Sequence, residues 1–290
     1  AKDDITVVGD RYHIAFDRRS GWLKQYAVDR NSLLGANGTL RPNFWRAVTD
    51  NDMGANINIT HKVWKNPVMT LQTLEAKQQK TGTMVTAFYR MDSVQALLTL
   101  QYFIGENGTI QVSQQLQTNK KASTPNLFRF GMVMDLPYEM EKSVYYGRGP
   151  IENYPDRKLS QRIGRYEQMA DDQFYPYIRP QETGTKGDMR WWKQTDRQGI
   201  GLKVVADAPF YASATHYTIP DVDDGDRKEQ RHSYQLKRSC FTELYLDGAH
   251  AGVGGIDSWS GWAEALEPYQ VKCEDRAFTF WLLPTETVGD

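Results

Sequence analysis

Cysteine is nearly absent: the 290-residue chain holds only Cys240 and Cys273. They could form one disulfide at most and have no zinc-ligand spacing, so two buried thiols are the simpler expectation. A charge excess is lacking too. Thirty-five Lys and Arg face 36 Asp and Glu, for a formal net charge of −1. That balance argues against a nucleic-acid partner, because phosphate binding draws on a clustered positive excess. No run of about 18 apolar residues occurs, so no helix is long and apolar enough to cross a membrane, and no membrane partner is expected. The nucleophile elbow G-x-S-x-G, the phosphate loop G-x-x-x-x-G-K-[ST] and the zinc motif H-E-x-x-H are missing, which removes three routes to catalysis. Gly252-Val253-Gly254-Gly255 is a glycine cluster, but no G-x-G-x-x-G opens a helix, so dinucleotide binding is not expected. The chain starts at Ala1 with no signal-peptide pattern, as a cut fragment or processed product would. Cytoplasm and periplasm both stay open as compartments.

What is present is aromatic. Eight Trp, 16 Tyr and 11 Phe make up 12% of the chain, a supply that builds either β-cores or sugar-binding surfaces. The dominant period is two. Val94, Ala96, Leu98, Leu100, Tyr102 and Ile104 alternate with polar residues, and Asn107-Gly108 then turns the chain into Ile110, Val112 and Leu116. This pattern predicts a long antiparallel hairpin with one polar face. Tyr12–Phe16 and Trp22–Val28 predict a second hairpin, and Phe128–Met134 a further strand. Later strands are expected near 200–205, 210–214, 241–247 and 276–283. Helical periodicity is weak, and Leu71–Gln79 fits a short helical turn or an extended segment equally. Two stretches, 147–192 and 247–269, do not read as strands, and long loops of this kind are often functional. No Gly/Ser-rich or Pro-rich linker divides the chain. The expectation is one all-β domain over residues 1–290, a large antiparallel β-sandwich.

Paired carboxylates are the obvious candidates for chemistry. Glycoside hydrolysis sets two of them about 5–5.5 Å or about 6.5–9.5 Å apart. Asp50, Asp52, Glu152, Asp156 and Glu182 qualify by type, but sequence pairs none of them, and loop-fixing roles are the simpler expectation. Asp221, Asp223, Asp224 and Asp226 resemble a calcium loop only loosely, and a solvated acidic loop is expected. Trp259-Ser260-Gly261-Trp262 differs in kind. It follows the glycine run, whose flexible backbone could turn tightly and display the next large side chain. From the residues alone, Trp259 is either a displayed sugar platform or a core ring capping the sandwich.

Four blocks, in order, carry a resemblance. Residues 147–157, Gly-Arg-Gly-Pro-Ile-Glu-Asn-Tyr-Pro-Asp-Arg, are similar to the G-x-G-P-x-E-N-Y-P-D-R signature of the C-terminal domain of large β-galactosidases, glycoside hydrolase family 2. Phe44–Gly54 resembles that family's R-A-P-x-D-N-D-x-G block, and Tyr175–Gly184 its Y-x-x-P-x-E-x-G block. Asp247–Trp259 resembles D-G-x-x-x-G-x-G-G-x-D-S-W, and Tyr269, Phe278 and Phe280 fit its final strands. The resemblance implies a supersandwich of the galactose-mutarotase type. In the parent enzyme this domain follows a jelly roll, two immunoglobulin-like domains and a (β/α)₈ barrel that carries both catalytic Glu residues of a retaining mechanism. It therefore implies no catalytic residue in this chain, an inactive fragment when alone, and two partners: a β-galactoside and the barrel of the same polypeptide. It implies no cofactor or metal site here, the parent's metals lying mainly near the barrel. Trp259 takes the substrate-platform role, with Asp257, Ser258 and His250 as weaker companions.

For Arg148, Glu152, Asn153, Tyr154, Asp156 and Arg157 the expectation is structural, with Arg148 and Arg157 pairing with Glu152 and Asp156. His250 either buttresses the Trp259 loop or simply packs. The chain departs from the family at Ile256, where some members have an acid, and in ending on Leu282-Leu283-Pro284 and a polar tail. Two alternatives remain, a stand-alone aldose 1-epimerase-like enzyme and a carbohydrate-binding module.

Overall fold

The computed structural model describes residues 4–285; Ala1 and the polar tail beyond Thr285 lie outside the described residues. Strands dominate. In chain order they are β1 (Asp4–Val8), β2 (Tyr12–Asp17), β3 (Leu23–Val28), β4 (Asn31–Ser32), β5 (Leu40–Asn43), β6 (Thr70–Gln79), β7 (Gly82–Met91) and β8 (Ala96–Gly105). They continue as β9 (Ile110–Thr118), β10 (Arg129–Pro137), β11 (Lys142–Gly149), β12 (Arg162–Met169), β13 (Lys186–Thr195), β14 (Gly201–Thr215), β15 (Phe241–His250) and β16 (Arg276–Pro284). The α-helices among the described residues are single turns: α1 (Asp50–Gly54), α2 (Ile57–Thr60) and α3 (Ile219–Val222).

The strands follow the order β1-β2-β3-β5-β10-β15-β14-β16-β9-β8-β7-β6, with β13, β11 and β12 branching from β14 and β4 flanking β3. Neighbours pair antiparallel, so the expected all-β antiparallel class is what the chain adopts. The β8–β9 hairpin follows from its alternation. Ile104 pairs with Ile110 across a turn where Gly108 takes φ +79°, a value glycine adopts without steric cost. The alternation proper starts at Ala96, because Gln95 takes a left-handed conformation and ends the preceding turn.

The arms at the two ends of this order face one another. The Phe16 and Tyr102 rings lie 4.8 Å apart, Tyr26 Oη donates to the Gly108 carbonyl at 2.8 Å, and Tyr89 Oη donates to the Ser20 carbonyl at 2.7 Å. Burying a side chain such as Phe16 contributes about 1.5–3 kcal/mol. Between the arms, β14 does double duty. Its first part pairs with β16 and its second with β15, the change coming at exposed Asp207–Pro209. The two strands expected at 200–205 and 210–214 are therefore one.

Other expectations need correction. The stretch 147–192 contains the end of β11, all of β12 and the start of β13. β12 leaves no apolar period in the sequence because it is an edge strand with no buried position on either face, Arg165 and Glu167 falling on one and Arg162 and Gln168 on the other. Leu71–Gln79 is extended in β6, also an edge, and mostly exposed. β15 runs on to His250, shortening the second loop. Tyr269 sits in a 3₁₀ turn, while Phe278 and Phe280 are in β16. The cysteines are not buried thiols: both are free, Cys240 exposed and Cys273 half-buried.

Candidate functional site

After β15 the chain leaves the sheet as a loop over residues 251–263. At its crest Trp259 is 80% exposed and Trp262 67%. Trp259 is not a core ring.

The loop is held at several points. The Asp257 carboxylate accepts from the backbone N–H groups of Trp259 and Ser260, both at 3.1 Å, and from Ser260 Oγ at 2.6 Å. These bonds, the Ser260 hydroxyl first, hold its carboxyl below the usual range. Asp257 thus fixes the turn rather than facing outward. Beside it, the Ser258 carbonyl lies against Gly54 so closely that a Cβ on Gly54 would come within 2.2 Å of it. Asn51 Nδ2 donates to the carbonyls of Asp257 and Ala263, at 3.0 and 3.2 Å, pinning both ends of the crest.

At the base, Arg46 donates to the Ala251 and Gly252 carbonyls at 3.0 and 2.9 Å and pairs with Asp52 at 2.8 Å; Arg46 and Asp52 are both buried. Asp52 also closes a capping box with Thr49 at the start of α1. Asp156 Oδ2 accepts from Val253 N–H and Gly254 N–H at 2.9 and 2.8 Å. The glycine run does not act as a hinge: none of Gly252, Gly254 and Gly255 has positive φ. Gly252 is there because a Cβ would strike the Asp156 carboxyl at 2.7 Å, and Gly255 because a Cβ would strike Trp262 and Ala263 backbone.

Beneath lies a buried polar layer. Glu182 receives Thr185 Oγ1 at 2.6 Å and Tyr154 Oη at 3.4 Å, with His250 Nε2 at 3.6 Å and Arg129 at 3.8 Å. Burial pushes the Glu182 carboxyl up, but His250 and Arg129 together outweigh it and hold it at about 2. Arg129 pairs with Asp247 at 2.5 Å. His250 Nδ1 bonds the Ala251 carbonyl at 2.8 Å, so this buried ring sits at the foot of the loop and does not face solvent.

The expected pairing of residues 148–157 is half right. Arg157 binds Glu152 at 2.5 Å, and Glu152 also accepts from Tyr177 Oη, Thr183 Oγ1 and Gly184 N–H. Arg148 instead pairs with Asp188 at 2.7 Å, and Asp156 serves backbone amides. Asn153 is fully buried. It donates to the Arg148 and Ile151 carbonyls and accepts from Gly187 N–H. The acidic run is solvated only in part, at Asp226, which is exposed and pairs with Lys62 at 2.7 Å. Asp223 binds Lys65 at 2.6 Å and Asp224 binds Arg179 at 2.9 Å, both acids being buried.

Each carboxylate weighed for catalysis is thus engaged in holding loops, Asp50 included, through Arg179 and Lys228. Among the described residues no cluster of His, Cys, Asp or Glu is placed to hold a metal. What the site can do is present two indoles rigidly. Arg46 and Arg129 were not singled out from the sequence. Their signal is a lone cation inside an apolar run, Phe44-Trp45-Arg46-Ala47-Val48 and Phe128-Arg129-Phe130, because such a residue is buried only with a partner.

The β-galactosidase of Priestia megaterium is 30% identical over 257 residues, covering 88% of this chain and 24% of that protein. The β-galactosidase of Lactobacillus delbrueckii subsp. bulgaricus is 31% identical over 260 residues, covering 88% and 25%. The chain spans about a quarter of the length of these relatives. Among solved structures, a putative aldose 1-epimerase from Escherichia coli K12 aligns with a TM-score of 0.51 at 11% identity, covering 97% of this chain and 98% of that one. A galactose mutarotase-like protein from Lactobacillus casei aligns at 0.53 and 8%, covering 97% and 100%. These two share the fold, which is the expected galactose mutarotase-like one. The family model for the beta galactosidase small chain matches residues 8–282, and the chain belongs to that family.

Proposed function

We propose that this chain is the C-terminal supersandwich of a retaining β-galactosidase of glycoside hydrolase family 2, and that it lends Trp259 as an aromatic platform to an active site on a separate catalytic barrel. The observation that carries the reading is the exposure of Trp259 on a loop braced by buried Arg46–Asp52, Asn51 and Asp156. The flat indole suits the C–H face of a galactosyl ring, while His250, Asp257 and Ser258 act through the loop. An aromatic face contributes on the order of 1–3 kcal/mol, far below the roughly 8–23 kcal/mol by which enzymes lower barriers. The catalytic carboxylates therefore belong to the barrel, and this chain alone is inactive.

In the β-galactosidase that contains this chain, Trp259→Ala is expected to lower kcat/KM by roughly 10–100-fold. Steady-state kinetics on a chromogenic galactoside checks this, and unchanged constants would remove the platform role.

A further inference from the structure

A second concave site lies away from the Trp259 loop, on the outer face of β5, β10 and β15. The register decides what that face carries. Arg41 pairs with Val133 and Val133 with Tyr245, Asp135 pairs with Glu243, and Asn43 pairs with Gly131. By alternation these residues share one face, while Leu40, Met132, Met134, Leu244 and Leu246 point to the core. An outward face is normally solvated. Here Asp135, Glu243 and Tyr245 are buried, and a cleft of about 410 Å³ opens over Glu243 and Tyr245. That volume falls within the roughly 300–1,000 Å³ of small-molecule sites.

The cleft has an apolar wall and a polar floor. Trp22, Trp45, Met69 and Pro220 form part of the wall. On the floor, Arg41 binds Asp135 at 2.5 Å and Glu243 at 2.9 Å, and Tyr245 Oη donates to Glu243. Lys65, at the rim, is paired with Asp223, which also accepts from Trp45 Nε1 at 2.9 Å. Arg41 and Lys65 thus face three carboxylates, Asp135, Glu243 and Asp223, so no surplus positive charge is left for a phosphate or carboxylate ligand. Two donors on lining residues, Trp22 Nε1 and Asn43 Nδ2, have no partner among the described residues, but both are closed to solvent and so belong to the wall rather than to its binding surface. Burial pushes the Glu243 carboxyl up to about 7, against the pull of Tyr245 and Arg41. A buried ionic network under an apolar-walled cleft costs desolvation that a purely structural sheet face would avoid.

We infer that this cleft binds a neutral pyranose, its C–H face against the tryptophan wall and its hydroxyls on the Arg41–Glu243–Tyr245 floor. A sugar hydroxyl can both accept from the part-exposed Arg41 guanidinium and donate to the Glu243 carboxylate, which is what this mixed lining asks of a ligand. The inference does not depend on the Trp259 platform.

The test is a titration of the full chain with methyl β-galactoside, methyl β-glucoside and galacturonate, followed through the indole N–H signals in NMR. Saturable millimolar shifts of the Trp22 and Trp45 indoles by a neutral glycoside, with galacturonate weaker, are expected. Glu243→Gln should weaken that binding about tenfold, the worth of one good hydrogen bond. Because Glu243 is buried and Glu243→Gln could disturb folding, Trp22→Leu serves as a second variant, and both are read only with an intact unfolding transition. Shifts confined to Trp259 and Trp262, no shift with any neutral glycoside, or tighter binding of galacturonate would each overturn the inference, as would undiminished binding by folded Glu243→Gln and Trp22→Leu. None of these results would bear on turnover by the parent enzyme, so the two readings fail separately.

Discussion

Asp156 carries more of the Trp259 loop than its sequence neighbours suggest. One carboxylate oxygen receives two consecutive amides, Val253 and Gly254. Charge-assisted bonds of this kind contribute roughly 1.5–3 kcal/mol each. Asp156→Ala is therefore expected to speed hydrogen exchange at these two amides at least tenfold while leaving β15 protected; equal protection in variant and parent would contradict the brace. Arg46 has a different weight. Arg46→Ala would leave Asp52 buried without its cation, at a cost of about 3–5 kcal/mol in denaturant unfolding. From the residues alone a displayed Trp259 and a core ring stay equal, and only the resemblance over 247–259 favours display; the identity of the braces is not legible at all. Asp156 sits 97 residues before Val253, and nothing in a local pattern says which carboxylate reaches which loop.

Among the elements, β13 shows how a strand can carry an awkward residue. Lys186 is fully buried, donating to the Gly184 carbonyl at 2.8 Å and Gln173 Oε1 at 3.2 Å, without an anion in contact. Desolvation pushes its amine down to about 7. The unfolded chain keeps an ordinary lysine near about 10.4, so between these values it binds a proton that the folded chain does not. Stability should accordingly rise with pH from about 7 to 10, and the full cost of burial is felt below 7. Unfolding free energies measured across this window should slope upward for the parent and less so for Lys186→Met; identical slopes would show that Lys186 keeps its charge. Elements were legible wherever one face is buried, as in β8 and β9, with their strict alternation. They were hidden where neither face is, as in β6 and β12, because an exposed edge strand has no apolar period to report.

The molecule as a whole is joined by its last strand. β16 pairs with β14 on one side and β9 on the other, linking the β6–β9 arm to the rest of the order. Removing residues from Arg276 onward should expose both neighbours, abolish a single cooperative transition and promote association, as read by calorimetry and light scattering. A truncated chain that melts as sharply as the parent would refute that role. The sandwich class was legible, but the position of β16 was not, since strand order depends on contacts more than 150 residues apart.

Translation gives this seam a temporal meaning. β9 and β14 leave the ribosome well before β16, so a nascent chain carries two open hydrogen-bonding edges until the closing segment emerges. Holding chaperones, slow synthesis temperatures and codon choice near this segment should thus govern the yield of folded protein more than any change within the earlier arms.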